Sequence, residues 1–246
     1  FVPPVFRTGR GDDTLLAVAD AVSSDGSAVT DGLSNVGELL TETGDDLIIA
    51  TAISETFGNG RAIADGIDNR GLLNTGDGDD KIFVSAVASV TDGLALANAI
   101  DQDVEVDSVI DLGNGDDVIL AEAKAFSTEN INAIAILGGV IKAGDGADNI
   151  RARSNDNSIE LDGGLGFGNV EVDMGSGDDT LFGFGNAIVD GGSGIDTLEF
   201  DFSLNEFILG GGSINSSGDF INFTFADITY KTTNFEKFEF NVEFEG

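Results

Sequence analysis

One eight-residue stretch, Thr75-Gly76-Asp77-Gly78-Asp79-Asp80-Lys81-Ile82, limits what this chain can fold into more than any other feature. It returns six more times with small changes. With the last Asp as marker, the copies end at Asp13, Asp46, Asp80, Asp117, Asp148, Asp179 and Asp196, at separations of 33, 34, 37, 31, 31 and 17 residues. Glycines at alternate positions permit φ > 0, so the backbone can curl and aim carbonyls and amides inward, and the acidic side chain closes the curl. Two residues past each Asp stands a large apolar residue: Leu15, Ile48, Ile82, Ile119, Ile150, Leu181 and Leu198. A turn followed by an anchored strand, repeated at long intervals, predicts a solenoid whose rungs stack over a common core. Hard oxygen donors from carbonyls and carboxylates, set in a sharp glycine bend, suit Ca²⁺.

The residues after each turn alternate with period two, as strands do. Leu15-Leu16-Ala17-Val18-Ala19, Ile48-Ile49-Ala50-Thr51-Ala52, Ile82-Phe83-Val84-Ser85-Ala86 and Ile119-Leu120-Ala121-Glu122-Ala123 align column by column. The anchor column faces inward, followed on the same face by Ala17, Ala50, Val84, Ala121, Ala152 and then Ala19, Ala52, Ala86, Ala123, Ser154. Columns of Ala make a thin core, so the opposing sheet should approach closer than the usual ~10 Å. The second half of each unit is as regular: Ala28 to Asn35 aligns with Ala62 to Asn69, and Ala95 to Asp101 continues the series. Each unit of about 34 residues reads as one coil with two long strands and two turns, one of which carries the Gly-x-Gly-x-Asp. Gly166 to Gly177 recurs as Gly183 to Gly194 at a shift of 17, so the coil narrows towards the C-terminus. From Phe200 the repeat stops and 10 of the 18 Phe residues follow, in stretches that alternate as strands. The expectation is an all-β, parallel β-solenoid (β-roll or β-helix) over 9–199. An extended N-terminal segment precedes it over 1–8, and a Phe-rich capping β region follows over 200–246.

Composition removes several functions. The 246 residues hold 45 acidic and 11 basic side chains, a net charge of −34, while 41% of the residues are hydrophobic, too many for a disordered polyanion. Such a surface repels phosphate, so nucleic acid is not an expected partner. With neither Cys nor His, the chain has no disulfide, thiol nucleophile or imidazole base. The longest apolar run, about Ala133 to Ile141, is too short to span a membrane. No initiating Met or signal peptide opens the sequence, so a start at Phe1 reads as processing or as an excerpt.

The turns resemble the calcium-binding nonapeptide of the repeats-in-toxin (RTX, hemolysin-type) family, Gly-Gly-x-Gly-x-Asp-x-large apolar-x. Gly191-Gly192-Ser193-Gly194-Ile195-Asp196-Thr197-Leu198-Glu199 is the closest copy, and the stretches beginning at Gly113, Gly144 and Gly175 also match. The spacing departs from the family, whose repeats come every nine residues, and the second copy has Glu42 where a Gly belongs. The resemblance implies ions held between successive turns by Asp carboxylates and loop carbonyls. Carried over position by position, the metal residues are Asp13, Asp46, Gly76, Gly78, Asp79, Asp80, Gly113, Gly115, Asp116 and Asp117, followed by Gly144, Gly146, Asp148, Gly175, Gly177, Asp178, Asp179, Gly192, Gly194 and Asp196. Seven turns leave six gaps, so roughly four to six Ca²⁺ are expected in a line, weakest at Glu42.

The expected function is that of a secreted, calcium-binding structural protein at the cell surface, a subunit of a filament, sheath or surface layer. The alternatives are the calcium-folding module of a larger secreted enzyme or adhesin, and a glycan-processing β-helix. No clustered Arg, Lys, Tyr and acid supports catalysis, so the chain is not expected to be an enzyme. Arg151 and Arg153, alternate on one strand, read as solvated charges, although they could face a cell-surface glycan. The outward column after the Asp is too mixed for an ice-binding Thr array. Leu16, Ile49, Phe83, Leu120 and Phe182 form an outward apolar stripe, which predicts self-association unless Phe1 to Phe6 or the Phe-rich cap covers it. With an extended N-terminal tail, head-to-tail polymers are the expected form.

Overall fold

The computed structural model describes residues 3–102, 108–155 and 165–241, so Phe1, Val2 and the last five residues of the expected end segments lie outside the described residues. The fold is almost entirely β, a parallel solenoid. The first rungs comprise β1 (Val5–Arg7), β2 (Thr14–Ser23), β3 (Gly26–Asn35), β4 (Glu38–Leu40), β5 (Leu47–Asn69), β6 (Leu72–Asp77), β7 (Lys81–Gln102) and β8 (Val109–Asn114). Then come β9 (Val118–Phe126), β10 (Asn130–Leu137), β11 (Val140–Lys142), β12 (Asn149–Ser154), β13 (Leu165–Asp173), β14 (Thr180–Phe182), β15 (Gly185–Asp190) and β16 (Thr197–Phe200). A short helix, α1 (Leu204–Leu209), leads into β17 (Ser213–Ser217), β18 (Phe220–Phe225), β19 (Ile228–Thr233) and β20 (Lys237–Phe240).

The anchored strands stack in register from β2 through the first half of β5, the first half of β7, β9, β12, β14 and β16 to β20. Leu15 lies beside Ile48, Ile48 beside Ile82, and Ile82 beside Ile119. The second expected alignment holds too: Ala28 pairs with Ala62 and Asn35 with Asn69. The Ala-lined sheets are as close as expected. Ser54 Oγ reaches across and donates to Ile63 O at 2.5 Å, and a Cβ added to Gly32 would stand 2.9 Å from Thr51 O on the facing strand.

Each wide coil has a corner more than the sequence indicated. After the second strand the chain bends again and adds a short third strand, so β1, β4, β6, β8, β11, β13, β15 and β19 form a further parallel column. Buried amides hold that corner. Asn35 Nδ2 donates to Asn69 Oδ1 (2.8 Å) and Leu72 O (2.9 Å), Asn69 Nδ2 to Val109 O (3.1 Å), and Gln102 Nε2 to Gly138 O (3.2 Å). In the narrow coils β15 pairs with both halves of β13, so the second and third columns merge.

The ends differ from expectation as well. Among the described residues of the N-terminal segment, β1 pairs in parallel with β4 as part of a preceding rung, and Leu16 of the stripe stays exposed. At the other end β19 and β20 continue the solenoid, while β18 and β17 fold back antiparallel. Ser203 and Glu206 form a reciprocal capping box at the start of α1. Phe200, Phe202, Phe207, Phe223 and Tyr230 pack ring on ring over the last rung, with centroids 5.0–6.5 Å apart in pairs such as Phe200–Phe223 and Phe223–Tyr230. This plug covers the core of the last rung with aromatic rings.

Candidate metal centre

All seven Gly-x-Gly-x-Asp turns stack along one edge. Arg10, Thr43, Asp77, Asn114, Asp145, Ser176 and Ser193, the residues between the two glycines, follow one another in parallel bridges or strand register. The second glycine is required by this stacking. Gly78, Gly115, Gly146, Gly177 and Gly194 have φ between 140° and 148°, and a Cβ on any of them would collide with the carbonyl of the glycine one rung earlier. Glu42 shows how the degenerate copy survives: it keeps φ at 78° despite its side chain, and its carboxylate pairs with Arg7 at 3.1 Å.

The paired acids of each turn separate into two columns with opposite roles. In the inner column, Asp46 Oδ1 accepts from Asp13 N (2.7 Å), Asp80 from Asp46 N (2.7 Å), and Asp117 from Asp80 N (2.8 Å). The ladder continues through Asp148 (2.8 Å), Asp179 (2.8 Å) and Asp196 (2.9 Å), each accepting from the main chain of the rung before. In the outer column the direction reverses: Asp12 accepts from Asp45 N, Asp45 from Asp79 N, Asp79 from Asp116 N and Asp116 from Ala147 N, at 2.8–3.1 Å. Asp178 accepts from Ile195 N at 2.9 Å. Asp79, Asp116 and Asp178 are exposed, whereas Asp46, Asp80, Asp117, Asp148, Asp179 and Asp196 are buried. Of the carboxylates expected to hold metal, the inner column is enclosed except for the half-buried Asp13, and the outer three line the solvent edge.

The inner ladder has an eighth member. Glu236 Oε2 accepts from Asp196 N at 2.8 Å and ends the series. Asn234-Phe235-Glu236-Lys237-Phe238 carries a trace of the motif, an acid two residues before a large apolar residue, with Asn234 at φ 56°. The longer acid and the missing glycines hide it from a motif search.

From Asp46 to Asp196 one oxygen of each inner Asp is satisfied by this ladder, and the other is not. Oδ2 of Asp13, Asp46, Asp80, Asp117, Asp148, Asp179 and Asp196 is buried with no hydrogen-bond partner. A buried, unpaired carboxylate oxygen is costly, and the group answers by binding a proton or a cation. Burial accordingly pushes five of these acids up, Asp80 and Asp148 to about 6, Asp179 to about 7, Asp117 to about 8, and Asp196 in the same direction. Neighbouring carboxylates of the column and the outer edge add to the rise, while the main-chain amide bond opposes it.

These residues fit a row of hard cations by one test and limit it by another. Each rung offers a buried, unpartnered oxygen of the right chemistry, repeated about every 4.8 Å. Among the described residues, however, no three acidic side chains converge on a point. Any Ca²⁺ here would take most of its six to eight oxygens from main-chain carbonyls and water.

The arginines that could have faced a glycan are engaged with their own chain. Arg151 and Arg153 lie over the Phe182 ring at 4.6 and 4.4 Å, and Arg151 pairs with Glu199 at 3.2 Å. Among the described residues no helix is long and apolar enough to cross a membrane. No family model matches the chain, and no curated protein matches it.

Proposed function

We propose that this chain is a calcium-loaded structural solenoid of RTX type, secreted and folded outside the cell, that serves as a subunit of a surface layer, sheath or filament. One observation carries the reading: seven stacked Asp side chains each keep one buried oxygen unpaired. A row of divalent cations would satisfy those oxygens and offset part of the −34 charge. Asp13, Asp46, Asp80, Asp117, Asp148, Asp179 and Asp196 would supply the carboxylates and the turn glycines the carbonyls. Binding energy would then become folding energy. Calcium is scarce inside cells and abundant outside, so folding would follow export. Calorimetric titration with Ca²⁺, with bound metal counted by native mass spectrometry, tests this. Four to six ions per chain are expected, with fewer in Asp117→Asn. A folded chain that takes up no Ca²⁺ at millimolar concentration would refute it.

The apolar stripe supports association. Leu16, Ile49, Phe83 and Leu120 stand in continuous register, with Leu16 and Leu120 exposed and Ile49 and Phe83 half-buried. Phe182 continues the column beneath the two arginines, so the exposed part ends at Leu120.

A further inference from the structure

A cavity lies on the outer face of the third strand column, away from the Asp edge. Its volume, about 610 Å³, falls within the ~300–1,000 Å³ range of small-molecule sites. It forms where the coil shortens. Between the register pairs Gly168–Asn186 and Glu171–Ile188, β13 holds Asn169 and Val170 where β15 holds Ala187 alone. The extra residue, Asn169, bulges with φ at 56°, and such a bulge re-aims its side chain. Asn169 lines the cavity, is exposed, and its amide has no hydrogen-bond partner among the described residues. Asn186 lines it from the next rung. Its Oδ1 accepts from Thr229 N at 2.9 Å, which fixes the amide and leaves the Nδ2 donors for the cavity. Glu171, Ile188 and Lys231 follow one another in one register column, so the two charges stand about 10 Å apart on either side of Ile188. Neither charge has an ion-pair partner among the described residues. Below them Val170 and Ala187 form a buried floor, while Ile188 is 45% exposed.

We infer that this trench binds a short, uncharged saccharide. One acid and one base cancel, and the other polar groups are amides and a hydroxyl that offer donors and acceptors together. A ligand that donates and accepts along its whole length without net charge matches them, and Ile188 offers an apolar surface for the C–H face of a ring. An anionic ligand would meet a single Lys on a chain of net charge −34. An apolar ligand would leave the amides of Asn169 and Asn186 buried and unpaired. An added peptide strand needs a free sheet edge, whereas β11, β13 and β15 are each paired on both sides. Val140, Glu171, Ile188 and Lys231 stand on four successive rungs, so the trench runs about 14 Å along the solenoid, room for a short oligosaccharide. A glycan contact therefore falls on the third column rather than at Arg151 and Arg153. It rests on the cavity and the bulge, and not on calcium or the apolar stripe.

The test titrates the full ¹⁵N-labelled chain, with Ca²⁺ present, with the neutral trisaccharides of glucose, galactose, mannose and N-acetylglucosamine, and with trigalacturonate as the anionic control. At least one neutral trimer should shift the amides of Asn169, Asn186 and Thr229 at millimolar concentration. Two substitutions then read single contacts. Asn186→Asp keeps the acceptor for Thr229 N and removes the donor, and Asn169→Gly keeps the left-handed backbone and removes the amide. Each should weaken binding about three- to tenfold without unfolding the chain. No shift with any neutral trimer, binding of trigalacturonate alone, shifts confined to another face, or binding indifferent to both substitutions overturns the inference. Where a variant fails to fold, the shift map of the unsubstituted protein decides. Saccharide binding by a folded chain that takes up no Ca²⁺ would sink the calcium reading and leave this site standing.

Discussion

The two ends of the solenoid solve the same problem with different materials. Around β5 and β7 the coil is wide, and its two long sheets are held together by Ala50, Ala52, Ala62, Ala64, Ala86 and Ala97, all 0–3% exposed. Around β15, β16 and β19 the coil is narrow and is filled by Phe167, Phe184, Phe200 and Tyr230. An Ala buries little area, so a wide rung gains little alone and depends on its neighbours, its amide corner and the Asp edge. The aromatic end carries its own core. The lesson is that one repeated turn can serve two interiors, because the turn sets the stacking while the core residues set the distance between sheets.

Removing calcium should separate the two regions most. With chelator at neutral pH, hydrogen exchange should show β2 to β9 losing protection first and β18 to β20 last. Uniform loss would mean that the aromatic end is no more independent than the rest.

A smaller effect should follow pH in the absence of metal. For Asp80, Asp117, Asp148 and Asp179 the folded chain holds protons more tightly than the unfolded one. Their contribution to stability is therefore present below about pH 4, the ordinary carboxylate range, and is lost as pH rises through 6 to 8. The apo chain should melt at a higher temperature at pH 5 than at pH 8, while Ca²⁺, which needs the charged form, should bind more tightly at pH 8. Thermal scans with and without metal check both signs.

Single substitutions sharpen the contrast. Phe207→Ala empties a fully buried ring site in the plug and should cost about 3–5 kcal/mol. In the Ala core the costly change is the opposite one: Ala121→Leu should destabilise by about 1–3 kcal/mol through overpacking. Urea titrations would measure both, and a tolerated Ala121→Leu would show that the sheets can part. At the amide corner, Asn69→Ala leaves Asn35 without its Asn69 acceptor and should cost about 1–3 kcal/mol. The smallest expected effect belongs to Tyr230, whose buried hydroxyl has no partner, so Tyr230→Phe should be neutral or stabilising by up to about 1 kcal/mol.

What the sequence determined by itself was everything that repeats. Period-two alternation places Ile48 inward and Ile49 outward, and recurrence at a nearly constant interval stacks Ile48 on Ile82 and Ile119, because identical local geometry can only superpose in register. The same logic put the seven Asp turns on one edge and marked the narrowing at the shift of 17. What only the tertiary structure decided lies between segments or outside the repeat. The third strand column depends on where Asn35 and Asn69 find acceptors one rung away, which no local pattern encodes. The division of Asp79 from Asp80, one exposed and the other enclosed, depends on which neighbouring rung each carboxylate meets. Glu236 joins the ladder because a chain end folds back to Asp196 across 40 residues.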